Sequence, residues 1–153
     1  MLILNYVKPL LKDGNHILIR ARSCELIARY SYLDFPEDQM TELATLIYSC
    51  LLAGKGEKET FLKIYACHAF NSIMKYDAIA EFIKPFIPDI LSIYTDLLQA
   101  DASIIKNFED LINLLEEEIA PFANDLVKLL INMFMGYTQN EQPSNQSYKE
   151  KDE

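Results

Sequence analysis

The sequence predicts an all-α chain, arranged as a right-handed α-solenoid of antiparallel helix pairs, about three and a half of them. Three observations lead there. Apolar residues return at steps of three and four through most of the chain, the stripe of an amphipathic helix. Leu, Ile, Ala and Tyr are plentiful, with four Gly and no Trp, which favours helix over sheet. One short pattern, an apolar residue, one residue, Pro and an apolar pair, is written three times. It stands in "YVKPLL" at 6–11, "EFIKPFIPDILSIY" at 81–94 and "EIAPFANDLVKLLI" at 118–131.

Taken in order, residues 2–12 read as a short first helix that ends at "KDGN", where Gly14 supplies a turn. Residues 16–32 form a second, with Ile19, Cys24, Ile27 and Ala28 inward. Pro36, followed by Glu37 and Asp38, opens a third: Pro suits the first helical position and acids suit the positive end of the helix dipole. It runs to Ala53 with Met40, Leu43, Ile47 and Leu51 inward. After the loop "GKGEKE", residues 59–75 form a fourth through Leu62, Ala66, Ala69, Phe70 and Ile73. The fifth starts at Asp77 and carries its stripe from Ile79 to Leu98. Pro85 and Pro88 lie inside that stripe, so a kink or short break is expected at 84–88. Residues 102–117 form a sixth, through Ile104, Phe108, Leu111, Ile112 and Leu115. Pro121 opens a seventh, which Gly136 closes.

The even-numbered helices repeat. Ile19 aligns with Leu62 at a step of 43, and Leu62 with Ile104 at a step of 42. Pro85 and Pro121 are 36 apart, and Pro9 and Pro85, two repeats, 76. A period near 40 with two helices per unit is the mark of HEAT and armadillo arrays. The domain reading is therefore a repeat segment over 1–137, in pairs at 2–32, 36–75 and 77–117 with a half pair at 121–136, then a polar tail over 138–153.

The chain of 153 residues has a formal net charge of -9, spread unevenly. Residues 1–75 carry nine Lys/Arg against eight Asp/Glu, and residues 76–153 five against fifteen. An acidic half repels nucleic acid and acidic membranes and attracts basic proteins. Cys24, Cys50 and Cys67 are an odd number at wide spacing, so no disulfide framework is expected. No signal peptide or membrane-spanning run is read; "MLILNYVKPLL" is too short and is interrupted by Asn5, Lys8 and Pro9.

Three segments carry a family likeness. "IRARSCELIARY" (19–30) resembles the second helix of a HEAT repeat in the importin-β superfamily. "EFIKPFIPDILSIYTDLLQ" (81–99) and "EEEIAPFANDLVKLL" (116–130) resemble the importin seven and importin eight branch, in the same order and spacing. The likeness covers residues 16–135. It implies a piece of a nuclear transport receptor that shuttles between cytoplasm and nucleus. Such a receptor carries protein cargo and, through its full length, meets Ran GTPase and Phe-Gly nucleoporins. Nothing in the chain matches the family's Ran-binding elements, which lie mainly in early repeats. The repeat pattern alone leaves open a HEAT scaffold or adaptor unrelated to transport.

Within this frame the sixth helix has a second face: Lys106, Glu109, Asp110, Asn113, Glu116 and Glu117, with Glu118 in the turn beyond. In a HEAT array the second helices line the concave side. Glu109, Asp110, Glu116, Glu117 and Glu118 are therefore the candidate protein-binding residues, suited to a basic cargo. Arg20, Arg22 and Arg29 read better as forming salt bridges to neighbouring repeats than as a contact to acidic cargo. Tyr48, Ile93, Tyr94, Met133 and Met135 are candidates to line a Phe-Gly pocket, against their ordinary reading as core. No cofactor or metal site is expected: Cys67 and His68 are adjacent and cannot easily share an ion, and no Cys-x-x-Cys or His-x-x-x-His occurs. "GKGEKET" lacks the spacing of a phosphate loop, and no Ser-His-acid set is evident, so the reading is not an enzyme.

Overall fold

A computed structural model describes residues 2–33 and 35–140. Among the described residues there are helices, turns and bends but no strand, so the chain is all-α. It divides into two compact units, Met1–Glu118 and Ile119–Glu153.

The first unit opens with a π-helical turn, Ile3–Val7, that passes into a 3-10 turn, Lys8–Lys12. A helix was expected over 2–12, and one is present, but its ladder is not α. Pro9 cannot donate and its ring crowds the turn before it. The last N–H ahead of it, that of Lys8, reaches back five residues to the Ile3 carbonyl. Helix α1 (Ile17–Arg29) follows, with Ala21, Ser23, Cys24 and Ile27 buried. Ile19, expected inward, is 41 % exposed. It lies two residues from Ala21, about 200° around the helix, and so off the buried stripe.

Pro36 takes an extended backbone and stands just before the 3-10 turn Glu37–Gln39, one place earlier than its expected position inside the helix. Helix α2 (Met40–Leu51) then buries Met40, Leu43, Ile47 and Leu51 as expected, and stops two residues short of Ala53. Helix α3 (Glu57–Ile73) starts at Gly56, whose φ of 157° few side-chain-bearing residues adopt. Leu62, Ala66, Ala69, Phe70 and Ile73 are all fully buried.

The expected break in the fifth helix is present. Helix α4 (Asp77–Ile83) gives way to a 3-10 turn, Lys84–Phe86, and then to α5 (Ile87–Leu98). Ile79, Ile83, Ile87, Ile90, Leu91, Tyr94, Leu97 and Leu98 stay on one buried side across the break. Helix α6 (Ile104–Leu114) is shorter than the expected 102–117. Leu115 leaves helical geometry at φ -126° and ψ 42°, and a single separate turn, α7 (Glu116–Ile119), follows. Of the residues expected inward on α6, Ile104, Phe108, Leu111 and Leu115 are buried, while Ile112 is 37 % exposed.

In the first unit α1 packs along α3, α2 packs on α3 and α4, α3 on α5 and α6, and α5 on α6. The opening 3-10 turn packs on α1 and α2. Polar bonds between these elements follow the same order. Lys8 reaches Glu42 at 2.7 Å, the Phe35 N–H donates to the Tyr76 hydroxyl at 2.9 Å, and Lys75 to the Ser31 carbonyl at 2.6 Å. The Tyr48 hydroxyl lies 3.4 Å from Asp89, Asn71 donates to Asp110 at 2.8 Å, and Asn107 to Cys67 at 3.1 Å.

The second unit has a 3-10 turn, Ala120–Phe122, and helix α8 (Ala123–Asn140). The expected stop at Gly136 is overridden: the helix runs on to Asn140, and Gly136 has no positive φ of the kind a C-terminal cap needs. Val127, Leu130, Ile131 and Phe134 are exposed along one side of α8. The polar tail expected over 138–153 therefore begins inside a helix, and its part from 141 on lies outside the described residues.

The thrice-written proline pattern has one local structure. Lys8–Lys12, Lys84–Phe86 and Ala120–Phe122 are all 3-10 turns with Pro at the first or second position. Each follows a short helical stretch and begins after an apolar residue, Val7, Ile83 or Ile119, that is itself buried. Proline removes the donor a continuous helix would need.

Candidate protein-binding surface

The five predicted acidic residues do not form one stripe. Glu109 and Asp110 are on α6; Glu116, Glu117 and Glu118 follow the break at Leu115. The sequence pattern treats the segment as one helix and so assigns a common face that the backbone does not keep.

Their environments separate them further. Lys106 Nζ lies 2.9 Å from Asp110 and 3.1 Å from Glu109, both within one helical turn of it on α6. Asp110 also accepts the amide of Asn71 on α3, so it ties two helices together. Lys84 Nζ lies 2.8 Å from Glu81 and 2.9 Å from Glu118, joining the proline turn to the acidic turn. Lys84 beside Glu118 holds that carboxyl below its usual range, and the two carboxylates push the Lys84 ammonium upward. Asp110 and Glu118 thus carry structural bonds. Glu109, Glu116 and Glu117 are exposed, and among the described residues Glu116 and Glu117 make no ion pair.

Sequence reasoning missed the apolar part of this surface. Ile105, Glu109 and Ile112 are spaced four and three apart on α6, hence on one side, and all three are exposed. The side presented to solvent is mixed, apolar and acidic. The signal was in the spacing of Ile105 and Ile112.

The arginines of α1 divide as well. Arg22 and Arg29 both pair with Glu25 on their own helix, which keeps that carboxyl below its usual range, with Arg22 the larger cause. Arg22 also lies over the rings of Phe61 and Tyr65 on α3, at 5.9 and 5.7 Å, where a guanidinium meets the negative ring face. The preferred salt-bridge reading was of bonds to neighbouring repeats; the ion pairs are within α1, and the link to the neighbour is aromatic. Arg20 turns toward α2 and meets Ser49 and Cys50.

Two of the residues offered for a Phe-Gly pocket are buried. Tyr94 is fully buried, edge-on to Phe108 at 5.6 Å, and Tyr48 is buried against Phe86 at 4.8 Å. Ile93 is half-buried and lines a recess of about 380 Å³ with Gly54, Lys55, Thr60 and Lys63. Met133 is half-buried and Met135 is 51 % exposed, both on α8 of the second unit.

Among the described residues no group of three or more His, Cys, Asp or Glu is placed to hold a metal ion, and no helix is long and apolar enough to cross a membrane. Compared with protein families, with curated proteins and with solved structures, the chain matches none.

Proposed function

We propose that this chain is a HEAT-type α-solenoid segment of a nuclear transport receptor, a binding protein and not an enzyme. The observation that carries the solenoid part is the range of its polar bonds. Long-range hydrogen bonds within the first unit join residues 29 to 44 apart, around the period near 40 read from the sequence. Each helix pair then bonds the next one, as stacked repeats do. The order of packing supports the same reading, since α1, α3 and α6 follow one another on one side and α2 and α4 on the other. The transport part rests on the likeness of 19–30, 81–99 and 116–130 to the importin-β superfamily.

In this reading α6 offers cargo the exposed residues Ile105, Glu109 and Ile112, with Glu116 and Glu117 beyond. That mixture suits a basic segment with apolar residues. Carboxylates speed encounter with a cationic partner, and the apolar side chains supply area to bury once contact is made. Small changes in packing between pairs add along an array, so a solenoid can flex to wrap its cargo. In the receptor as a whole, Ran-GTP would favour the form that releases cargo, a coupling of two sites through shared conformation. The receptor would work in both cytoplasm and nucleus.

The test is retention of the whole protein on immobilised Phe-Gly repeats and on Ran loaded with GTP, with Ran-GDP as control. Binding to the repeats and to Ran-GTP alone is expected. No binding to either would remove transport and leave a HEAT scaffold or adaptor.

A further inference from the structure

Acids outnumber lysines and arginines in this chain by 23 to 14, so cations do not lack partners. Among the described residues every lysine and arginine but three has a carboxylate or a carbonyl beside it or, for Arg20, a hydroxyl and a thiol. Lys55, Lys58 and Lys63 alone make no ion pair and no hydrogen bond among those residues. All three line one groove.

That groove is three recesses joined end to end within the first unit. One, of about 380 Å³, lies between the loop before α3 and the end of α5, with Lys55, Lys63, Ile93 and Asp96 in its wall. The next, of about 600 Å³, shares Thr60 and Ala100 with the first and is walled by Leu18, Phe61, Ile64, Glu57 and Lys58. The third, of about 400 Å³, shares Leu18 and Lys58 with the second and reaches Ile19 near the start of α1. Leu18 is 55 % exposed and Ile19 41 %, while Phe61 and Ile64 are half-buried.

We propose that this groove binds an extended acidic segment of a partner protein, one that also carries apolar side chains. The cations are spread along it: Lys58 serves the recesses toward α1, Lys55 and Lys63 the one toward α5. Carboxylates spaced along a peptide can meet them in turn, which fixes register and partner choice. Between them Leu18, Phe61 and Ile64 offer apolar area that only apolar side chains bury with gain. Glu57 and Asp96 stand in the same walls, so a dense run of phosphates would be pressed against fixed negative charge. A nucleic acid or an anionic membrane therefore fits less well than a peptide. The exposed acids of α6 would draw a partner of the opposite charge, and the groove stands whether or not the chain belongs to a transport receptor.

The experiment is titration of the isotope-labelled whole chain with a short synthetic peptide in which Glu and Asp alternate with Leu and Phe. Amide NMR shifts locate the contact, and fluorescence anisotropy gives the affinity. Shifts are expected over 15–19, 54–64 and 93–100. At those amides, the same peptide with Lys for its acids, and a peptide of Glu and Ser only, should each bind roughly ten-fold or more weakly. Lys55→Glu, Lys58→Glu and Lys63→Glu together should weaken the first peptide roughly ten-fold or more, with the fold intact by circular dichroism. Leu18→Ser should weaken it several-fold, and Lys128→Glu, on α8, should change nothing. The inference is overturned if the peptide moves no amide of the groove, or if the triple variant binds it as tightly as the original. It is equally overturned if a single-stranded oligonucleotide or an anionic vesicle takes those amides more tightly than the peptide does.

Discussion

Lys84 shows how much a single half-buried side chain can organise here. Its ammonium is shared by Glu81, in the helix before the proline turn, and Glu118, at the end of the acidic turn. The folded Glu118 carboxyl titrates below the ordinary 4.5 because of Lys84. A group whose folded pKa is depressed adds stability above its unfolded pKa and loses it as pH falls through the folded value. Glu25, lowered by Arg22, and Glu42, lowered by Lys8 and then Lys12, have the same sign. The melting temperature should therefore fall as pH drops below about 4.5, the usual carboxylate range. Lys84→Met should raise the Glu118 pKa toward or above that range, read by carboxyl NMR titration. An unmoved titration would mean the ion pair does not persist in solution.

Each element's ends and its buried side were legible to different degrees. Met40, Leu43, Ile47 and Leu51 on α2, and Leu62 to Ile73 on α3, were read correctly because both helices are regular and their stripes keep one phase. On α6, Ile112 was read inward but is 37 % exposed, and nothing in the local pattern marks the break at Leu115, a residue with a good helix propensity. Four substitutions test these accounts. Gly56→Ala places a methyl against the Glu59 carboxylate at a φ that alanine rarely adopts, and should cost about 1 kcal/mol or more. Gly14→Ala, with open space around the new methyl, should come out within about 0.5 kcal/mol of the original. Phe70→Ala, at the centre of α3 beside the Tyr48 ring, should cost about 3–5 kcal/mol in denaturant unfolding, whereas Ile112→Ala should cost well under 1.

For the whole molecule, the charge asymmetry has a kinetic consequence. Glu109, Glu116 and Glu117 are exposed in the acidic half, while Asp110 and Glu118 are held in bonds to Asn71 and Lys84. Reversing Glu109, Glu116 and Glu117 to Lys should slow association with a basic cargo several-fold at low salt. The difference should close as ionic strength rises and the Debye length shrinks below about 10 Å. Stopped-flow measurements across a salt series check this, with circular dichroism to confirm the fold. Equal association rates at every salt concentration would discard the acidic group as a cargo site. Reversing Asp110 as well should lower the melting temperature, since it breaks the α3–α6 bond.

By itself the sequence determined the all-α class, the inward sides of α2, α3 and the α4–α5 stretch, and the proline break at 84–88. These depend on spacing along one helix and on the missing proline donor, both local properties. Only the tertiary structure decided which acids are free, which arginine meets a ring or a thiol, and that Tyr94 is core. Those facts depend on which residues some 30 to 44 positions away arrive beside them. A helical period fixes the angle of a side chain around its own axis, but it carries no information on what the neighbouring helix places opposite.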